Sequence, residues 1–553
     1  MKGVAALVIG VATTVSFATV LAFFGGLDFA KAFVSLGVGA LMAWFAGGFV
    51  FVETTPTRLR GVGFWGWVIL TVWTLASLRA FLWLIYPVRD ELRVLSPHNL
   101  GDMALHINFI RYFASGVSFW PPSPILVGEP LTYPAGMDIF NALLVLVGVD
   151  WRVGLIFVGL VGSLVVGWAL YRYGGAFAVA AVLFGGGLAV FAIFKTGEFV
   201  EYGSDATWKN IFLAMIVTQR GFLYALPAGL VLLWAWRHEL DGRRAVPLVV
   251  QGLLYGTMPL FHLHTFMFLS IALACAFALK RAHWQFWVLG IAFFPATFFV
   301  WLTTNGFRVV VKGFGSGEGM LSRLKLEVGK GPLWTVGDGG ATGWLLEFGV
   351  AVGLALVAAL FVSMSRRDVV SRWLIVVAFV VASIGFLFPL TDWEWDNTKL
   401  LVWAWIALLP VLWKYVLEPL TVWVRAPIFA LLFFTGVVAL MAGLDARHGY
   451  TLVKRSELAK WEPLVRNLPP EAVIACESKY NSPFLLLGRR VMCGYEGHLS
   501  SHGLNYERKF WALHQILNQA YLWEDMAREL GVDYVAAEDK DGSRLIKVER
   551  QQD

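Results

Sequence analysis

The sequence has few charged residues, few cysteines and no repeated segment, and these shortages exclude several classes of protein. Asp, Glu, Lys and Arg make up 15% of the 553 residues, whereas 58% are hydrophobic and the mean hydropathy is +0.67. A soluble globular protein of this size does not have such a composition. The three cysteines form no C-x-x-C pair, so the common cysteine-based metal motifs are excluded. The glycine-rich stretch 315–319 lacks the strand and helix of a nucleotide-binding fingerprint.

What the sequence does contain is a series of long apolar runs. Each approaches the 20 or so residues needed to cross about 30 Å of hydrocarbon. They predict an all-α polytopic membrane bundle of about thirteen transmembrane helices. The predicted spans are 4–24, 31–52, 63–86, 153–170, 177–194, 210–236, 246–261, 265–279, 286–302, 344–363, 373–389, 400–413 and 428–443. The first is interpreted as a retained span, with a signal peptide as the alternative.

Charge gives the orientation of this bundle. With the N-terminus in the cytoplasm, every inside loop contains a lysine or arginine, as the positive-inside rule requires. The apolar segment 138–148 is too short to span, and counting it as a span would reverse this pattern, so it is interpreted as a half-helix or re-entrant piece. The net charge of +6 and the 26 tryptophans then fit cytoplasmic loops and interfacial belts, without a nucleic-acid partner.

This orientation places four segments on the outer side. They are the loops 87–136, 303–342 and 391–399, and the tail 444–553. The first 443 residues are therefore predicted to be the transmembrane domain, and the tail is predicted to be a small extracytoplasmic α/β domain. In the tail, 472–475, 490–492 and 531–536 have the pattern of strands, and 506–530 that of a helix.

Five polar clusters meet at the outer side of the predicted bundle, where charge is costly unless it has a function. They contain Asp102 and His106; Tyr133 and Asp138; Gln219 and Arg220; His262 and His264; and Asp396, Asn397 and Lys399. Four residues separate Asp102 from His106, so on a helix both side chains point from one face. The cations in these clusters suit the binding of a phosphate, and a carboxylate suits a general base that takes a proton from a hydroxyl.

Each cluster also has a purely structural interpretation. Asp102 could cap an interfacial helix, and Arg220 could extend to the membrane surface. His262 and His264 could be loop residues, and Asp396 with Lys399 could be a local ion pair. Cys476 and Cys493, which follow two adjacent predicted strands, could form a disulfide in an oxidising outer compartment, whereas Cys275 is interpreted as apolar packing.

Several short segments resemble the GT-C superfamily of integral-membrane glycosyltransferases, which use polyprenyl-phosphate-linked sugars, and in particular a poorly characterised prokaryotic branch of it. The segments are 101–106 (GDMALH), 128–134 (GEPLTYP), 219–222 (QRGF), 259–264 (PLFHLH), 395–399 (WDNTK), and, in the tail, 488–490, 494–498 and 501–503. The likeness extends over most of the chain, although each motif is short. Two more spans precede the acidic loop here than the family normally has, and they could be an added anchor.

The resemblance implies a GT-C-like fold and a sugar transfer from a polyprenyl-phosphate donor to an extracytoplasmic glycan, lipid or protein. Inversion is expected because the sequence offers no committed second carboxylate as a covalent nucleophile. The resemblance also implies that Asp102 activates the acceptor, while the remaining cluster residues bind substrate and phosphate. Family members often carry paired acids at this position, whereas Asp102 lies between Gly101 and Met103. A divalent cation, Mg²⁺ or Mn²⁺, is therefore an open expectation, with Asp102 and His106 as its candidate ligands.

The expected location is the prokaryotic cytoplasmic (inner) membrane, with the lipid bilayer and the donor as partners. Two rival functions are a transporter or flippase for a lipid-linked or anionic substrate, and a non-catalytic envelope scaffold. Intramembrane charges suit a transporter equally well. A transporter function would not explain a long outer loop beside a folded outer domain. Transporters also favour internal symmetry, which this sequence lacks.

Overall fold

Helices form most of the chain in the computed structural model, which describes residues 1–49, 62–95, 98–192, 208–306, 347–365, 367–387, 394–445, 447, 449–539 and 542–549. The helices of the bundle are α1 Lys2–Ala22, α2 Phe29–Phe49, α3 Phe64–Leu82, α4 His98–Ala114, α5 Gly136–Leu146, α6 Trp151–Leu183, α7 Arg220–Leu240, α8 Leu248–Phe261, α9 Leu263–Leu279, α10 His283–Thr303, α11 Ala351–Met364, α12 Val369–Leu387, α13 Glu394–Leu412 and α14 Val422–Gly443.

Seven helices in the described part of the chain are long and apolar enough to cross a membrane, and five shorter apolar helices accompany them. The protein is therefore an integral membrane protein by the length and composition of its helices. The expected count of thirteen spans is not confirmed. The predicted outer loop 303–342 lies almost wholly outside the described residues, as do 391–393 of the third loop.

One predicted span differs from the structure because the backbone breaks inside it, whereas a second break falls between two predicted spans. The predicted span 210–236 is a π-helix, Phe212–Val217, followed by an extended Gln219, and α7 begins only at Arg220. In α6, non-helical dihedrals at Gly174 and Gly175 interrupt the helix between the predicted spans 153–170 and 177–194, where the sequence predicted a connection. The short segment 138–148 behaves as predicted in length, since α5 has 11 residues and is too short to span.

The tail is built around a small mixed sheet. Its strands are β4 Val473–Ala475, β5 Arg490–Val491, β6 Tyr534–Asp539 and β7 Gly542–Lys547, in the order β5-β4-β6-β7. β4 is parallel to both β5 and β6, and β6 and β7 form an antiparallel pair. The helices of the tail are α15 Arg455–Val465, α16 Pro483–Leu486, α17 Glu496–Ser501, α18 Glu507–Leu517 and α19 Trp523–Glu529.

The predicted strands of the tail are therefore present, but its predicted long helix is not. Over 506–530 the chain forms α18 and α19, separated by a turn in which Gln519 and Leu522 have positive φ angles of 49° and 62°. A non-glycine residue in the left-handed region ends a helix, because the following residue cannot continue the ladder of hydrogen bonds.

The segment 87–136, predicted as the first outer loop, and the tail are joined by backbone pairing. Strands β1 Tyr86–Val88 and β2 Glu91–Val94 follow α3, and β2 pairs antiparallel with β3 Tyr450–Lys454, which follows α14. Farther along the loop, the Val127 N–H donates to Met492 O and the Gly494 N–H donates to Ile125 O. The loop thus extends one edge of the tail sheet, which fixes the tail over the end of the bundle where α4 and α5 lie.

Candidate active site

Asp102 lies one turn inside α4, which begins at His98, so it does not cap that helix as the structural interpretation proposed. Its side chain is partly buried, and its Oδ2 accepts a hydrogen bond of 3.0 Å from Gln219 Nε2. Gln219 comes from the break between the π-helix and α7, far away in sequence. The break therefore holds the carboxylate of Asp102 in one orientation.

His106 is on the same helix, but its partner is Asp138 of α5. The His106 Nδ1 and Asp138 Oδ1 atoms are 2.9 Å apart, and both side chains are almost fully buried. The expectation that Asp102 and His106 share one helical face is compatible with α4, but His106 serves a different acid. This buried pair joins α4 to α5 and brings Tyr133 near, with ring centroids of His106 and Tyr133 6.3 Å apart.

Arg220 is the first residue of α7 and is 2% exposed. It therefore does not extend to the membrane surface, which removes that structural interpretation. The opposite charges that act on it are those of Asp138 and, less strongly, of Asp102. Its Nη2 donates to Val217 O, and its guanidinium carbon lies 5.8 Å from the centre of the Phe81 ring. Within the described residues, Nε and Nη1 of Arg220 are buried and have no hydrogen-bond partner.

The start of α7 is fixed by a close backbone approach. At Gly221 an added Cβ would lie 2.1 Å from Phe261 O, a distance that no side chain can occupy. Phe222, the next residue, packs its ring 5.2 Å from that of His262. The turn between α8 and α9 thus lies directly against the start of α7, which connects the His262 cluster to the Arg220 cluster.

His262 has a clear structural role as the N-cap of α9. Its Nδ1 accepts a hydrogen bond of 3.2 Å from the Thr265 N–H and lies 2.8 Å from Thr265 Oγ1. The same hydroxyl oxygen of Thr265 accepts a hydrogen bond of 2.9 Å from Trp403 Nε1. His264 is half-buried in the first turn of α9, with its ring 5.6 Å from that of His262. Because Nδ1 of His262 is engaged in this cap, the substrate roles of His262 and His264 both stay predictions.

The last predicted cluster is described only in part. Lys399 is half-buried on α13 and is close enough to His262 to influence its electrostatics. The side chains of Asp396 and Asn397 lie outside the described part of the structure. The proposed roles of these two residues therefore stay predictions.

Two histidines of the tail, His498 and His502, reach this region and were not predicted as site residues. The His498 ring borders α4, since a Cβ placed on Gly101 would be 3.3 Å from its Nε2. Burial lowers the pKa of His498 to about 4, so the ring is neutral at pH 7. His502 stacks on Tyr133, with ring centroids 5.3 Å apart. The only sequence signal for either was the likeness of 494–498 and 501–503 to the family motifs.

The expected divalent cation does not fit the described side chains. Among them, no group of three or more His, Cys, Asp or Glu residues converges on one point. His106 and Asp138 are instead engaged with each other, beside a buried guanidinium that would repel a cation. The described side chains therefore do not support Asp102 and His106 as ligands of a metal ion.

The predicted disulfide between Cys476 and Cys493 is not formed in this structure. Both residues are buried free thiols, and Cys476 Sγ lies 3.5 Å from Ser482 Oγ, toward which it is turned. Burial raises the pKa of each thiol to about 12, so neither is reactive at neutral pH.

Neither a protein-family model nor a curated protein matches the sequence. Among solved structures, the chain is similar to the Archaeoglobus fulgidus oligosaccharyltransferase in its apo form, with 12% identity over 86% of this chain and 69% of that chain, at a TM-score of 0.48. It is also similar to the complex of that enzyme with Zn and sulfate, with 13% identity over 85% of this chain and 68% of that chain, at a TM-score of 0.46. TM-scores below 0.5 carry no conclusion about this chain, so its function has to be argued from the site.

Proposed function

We propose that the protein is a membrane glycosyltransferase that moves a sugar from a polyprenyl-phosphate donor to an extracytoplasmic acceptor, with inversion. One observation supports this most directly. Arg220 is a buried cation with two unpartnered nitrogens in the described structure, and it lies beside Asp102, a carboxylate oriented by Gln219. An anion receptor next to a general base is the pair of groups that such a transfer requires.

The phosphate would bind at the start of α7. The N–H groups of a first helical turn have no partner within the helix, and the positive end of the helix dipole attracts an anion. Arg220 adds a full positive charge at the same point, and its planar guanidinium can donate two parallel hydrogen bonds to a phosphate. Lys399 of α13, whose charge acts on His262 in the neighbouring turn of α8 and α9, would contribute a second cation to the departing phosphate.

Asp102 would act on the acceptor. Its carboxylate takes the proton of the attacking hydroxyl or amide, the new glycosidic bond forms at the anomeric carbon, and the bond from that carbon to the phosphate oxygen breaks on the opposite face. The electron pair of the broken bond stays on the phosphate, beside Arg220. This single displacement inverts the anomeric carbon and needs no second carboxylate as nucleophile. Tyr133, held between His106 and His502, would line the sugar side of the site.

The membrane organisation follows from the same proposal. The polyprenyl chain would stay in the bilayer, and its phosphate would meet the site at the outer end of the bundle. In this arrangement residues 1–443 form the catalytic membrane domain of a cytoplasmic-membrane enzyme. The tail 444–553 covers the site from outside and supplies His498 and His502.

Replacing Asp102 by asparagine tests the proposal. Asp102→Asn keeps the size of the side chain but removes the base, so sugar transfer from a polyprenyl-phosphate donor in membranes should fall by about 10²–10⁴. Asp150→Asn is the matched control, because Asp150 caps α6 through backbone N–H groups and asparagine caps equally well. Transfer at the parental rate by folded Asp102→Asn protein would exclude Asp102 as the base. Donor translocation without any transfer by the parent protein would favour the rival transporter.

A further inference from the structure

A polar cavity lies at the opposite end of α7 from the candidate active site. It has a volume of about 620 Å³ and is formed by the end of α7, the turn between α11 and α12, and the end of α13. From Arg220 to Arg237 the helix rises about 26 Å at 1.5 Å per residue, close to the thickness of the hydrocarbon core. The residues that line this basic cavity include Arg237, Arg243, Arg367, Lys414, Asp241 and Asp368.

Half of the positive charge in the basic cavity is already neutralised. Arg243 is paired with Asp241 at 3.0 Å, and Lys414 is paired with Asp368 at 2.6 Å. Burial acts to raise the pKa of Asp368, but hydrogen bonds donated by Lys414, Ser371 and Tyr415 outweigh it and hold the pKa below its ordinary value. Asp368 therefore stays an anion that is fully occupied with its own partners.

The other two cations have no carboxylate partner in the described part of the chain. Arg237 is half-buried, and its one hydrogen bond there is to the neutral carbonyl of Tyr173, at 3.4 Å. Arg367 is exposed at the turn between α11 and α12 and makes no ion pair with a described residue. The basic cavity therefore carries an excess of two positive charges that face the same space.

The part of the basic cavity that lies deeper along the helices is apolar. It is formed by Val370 and Leu374 of α12 and by Pro410 and Val411 of α13. A site of this kind is cationic at the level of the helix ends and apolar along the helices below. This combination matches an amphiphile with a phosphate head and a hydrocarbon chain, whereas a soluble anion would gain nothing from the apolar wall.

We propose that the basic cavity binds the phosphate head of an anionic membrane phospholipid, with Arg237 and Arg367 as the residues that contact the phosphate. The lipid is part of the membrane leaflet at the end of the bundle opposite the site of sugar transfer. This binding is independent of the proposed transfer, because none of the residues involved belongs to the candidate active site.

The test is lipid binding to the purified full-length protein in detergent, measured by native mass spectrometry. Phosphatidylglycerol and phosphatidylcholine with the same acyl chains are titrated in parallel. We expect one tightly retained phosphatidylglycerol per protein and a clear preference over phosphatidylcholine. Each guanidinium near an anionic head group contributes enough that its loss should weaken binding about fivefold. Arg367→Gln should thus reduce retention about fivefold, and Arg237→Gln with Arg367→Gln roughly 25-fold.

A charge-matched control makes the outcome decisive. Arg281→Gln removes an equal charge from an exposed residue in the short turn between α9 and α10, outside the basic cavity, and should leave retention unchanged. Because Arg367 is exposed, Arg367→Gln should leave the fold intact. Equal retention of the two lipids, or equal retention by parent and Arg367→Gln, would overturn the proposal. So would equal thermal stabilisation by inorganic phosphate and by phosphatidylglycerol, since it would identify a soluble anion as the ligand.

Discussion

At the scale of single residues, the most informative group is the guanidinium of Arg220. Burying a charge is costly unless nearby charges and hydrogen bonds compensate it. Asp138 and Asp102 supply opposite charge, yet two of its nitrogens have no partner among the described residues. A residue that had only a structural role would be expected to have all its donors satisfied. The unsatisfied donors are therefore the strongest indication that a ligand completes this site.

Arg220→Gln should weaken the use of the phosphate donor. A hydrogen bond to a charged group contributes about 1.5–3 kcal/mol, so donor use at low concentration should fall roughly 10- to 100-fold. Arg152→Gln, at the first turn of α6 and outside the site, is the charge-matched control. The measurement is transfer rate against donor concentration in membranes that contain equal amounts of each variant. An unchanged dependence on donor concentration in Arg220→Gln would contradict the phosphate role.

His498 should make stability depend on pH. Its pKa is about 4 in the folded protein and 6.5 in the unfolded chain. Above pH 6.5 both states are neutral and the full stability is present, whereas between pH 6.5 and 4 only the unfolded chain takes up the proton. The free energy of unfolding should therefore fall by about 3 kcal/mol over that window. Between pH 7 and pH 5, the unfolding temperature should fall less for His498→Gln than for the parent. The control His514→Gln changes an exposed histidine and should behave like the parent.

At the scale of elements, the break between the π-helix Phe212–Val217 and α7 organises the site. A continuous helix would place Gln219 and Arg220 in a regular turn and would satisfy the N–H group of Arg220 internally, as that of Gln219 already is by Met215 O. The extended backbone of Gln219, with φ −87° and ψ 98°, instead starts a new helix inside the bundle. It turns the amide of Gln219 toward Asp102 and presents the first turn of α7 to the same place.

Gly221→Ala should disrupt this arrangement. The new Cβ would meet Phe261 O at 2.1 Å, so either α7 or the turn between α8 and α9 would have to move. Overpacking of this kind typically costs about 1–3 kcal/mol, and we expect less monodisperse protein in size-exclusion chromatography and a lower unfolding temperature. Gly290→Ala is the control, since a Cβ there has nothing within 4 Å and alanine favours the helix. Equal behaviour of the two variants would show that the close approach is not needed.

At the scale of the whole molecule, the tail is not a separate attachment. Its strand β3 pairs with β2 of the first outer loop, and the same loop runs along the edge of β5. Asn108 and Arg111 of α4 also donate to the carbonyls of Leu485 and Leu486. The helix that carries Asp102 is thus fixed by the tail as well as by the bundle, and a movement of the tail would reach the site directly.

Cysteine labelling should reveal the orientation of this assembly. Tyr521 in the tail is 91% exposed, and Arg281 lies in the short turn between α9 and α10 that is predicted to face the cytoplasm. A membrane-impermeant maleimide should label Tyr521→Cys on intact cells, and Arg281→Cys only after permeabilisation. The three native cysteines are buried and should give little background. The opposite labelling pattern would place the tail in the cytoplasm and would remove the basis for an extracytoplasmic acceptor.

The sequence by itself determined the class of this protein and the residue types at its site. Apolar runs and sparse charge require a helical membrane protein, because backbone polar groups in a bilayer must be satisfied within a helix. Alternation and short apolar runs also indicated the strands of the tail at β4, β5 and β6. These features are local, so that a window of a few to about twenty residues is enough to predict them.

Only the tertiary structure decided which of these residues work together. The pairs Asp102 with Gln219 and His106 with Asp138 join residues 117 and 32 positions apart, and the stacking of Tyr133 on His502 joins residues still farther apart. The break at Gln219 could not be predicted for the same reason. Its flanks are apolar enough for one span. The hydrogen bond of Gln219 to Asp102 and the contact of Gly221 with Phe261 form only when the helices pack. Hydrophobic periodicity records the faces that a helix buries, but not the partner that each buried polar group will meet.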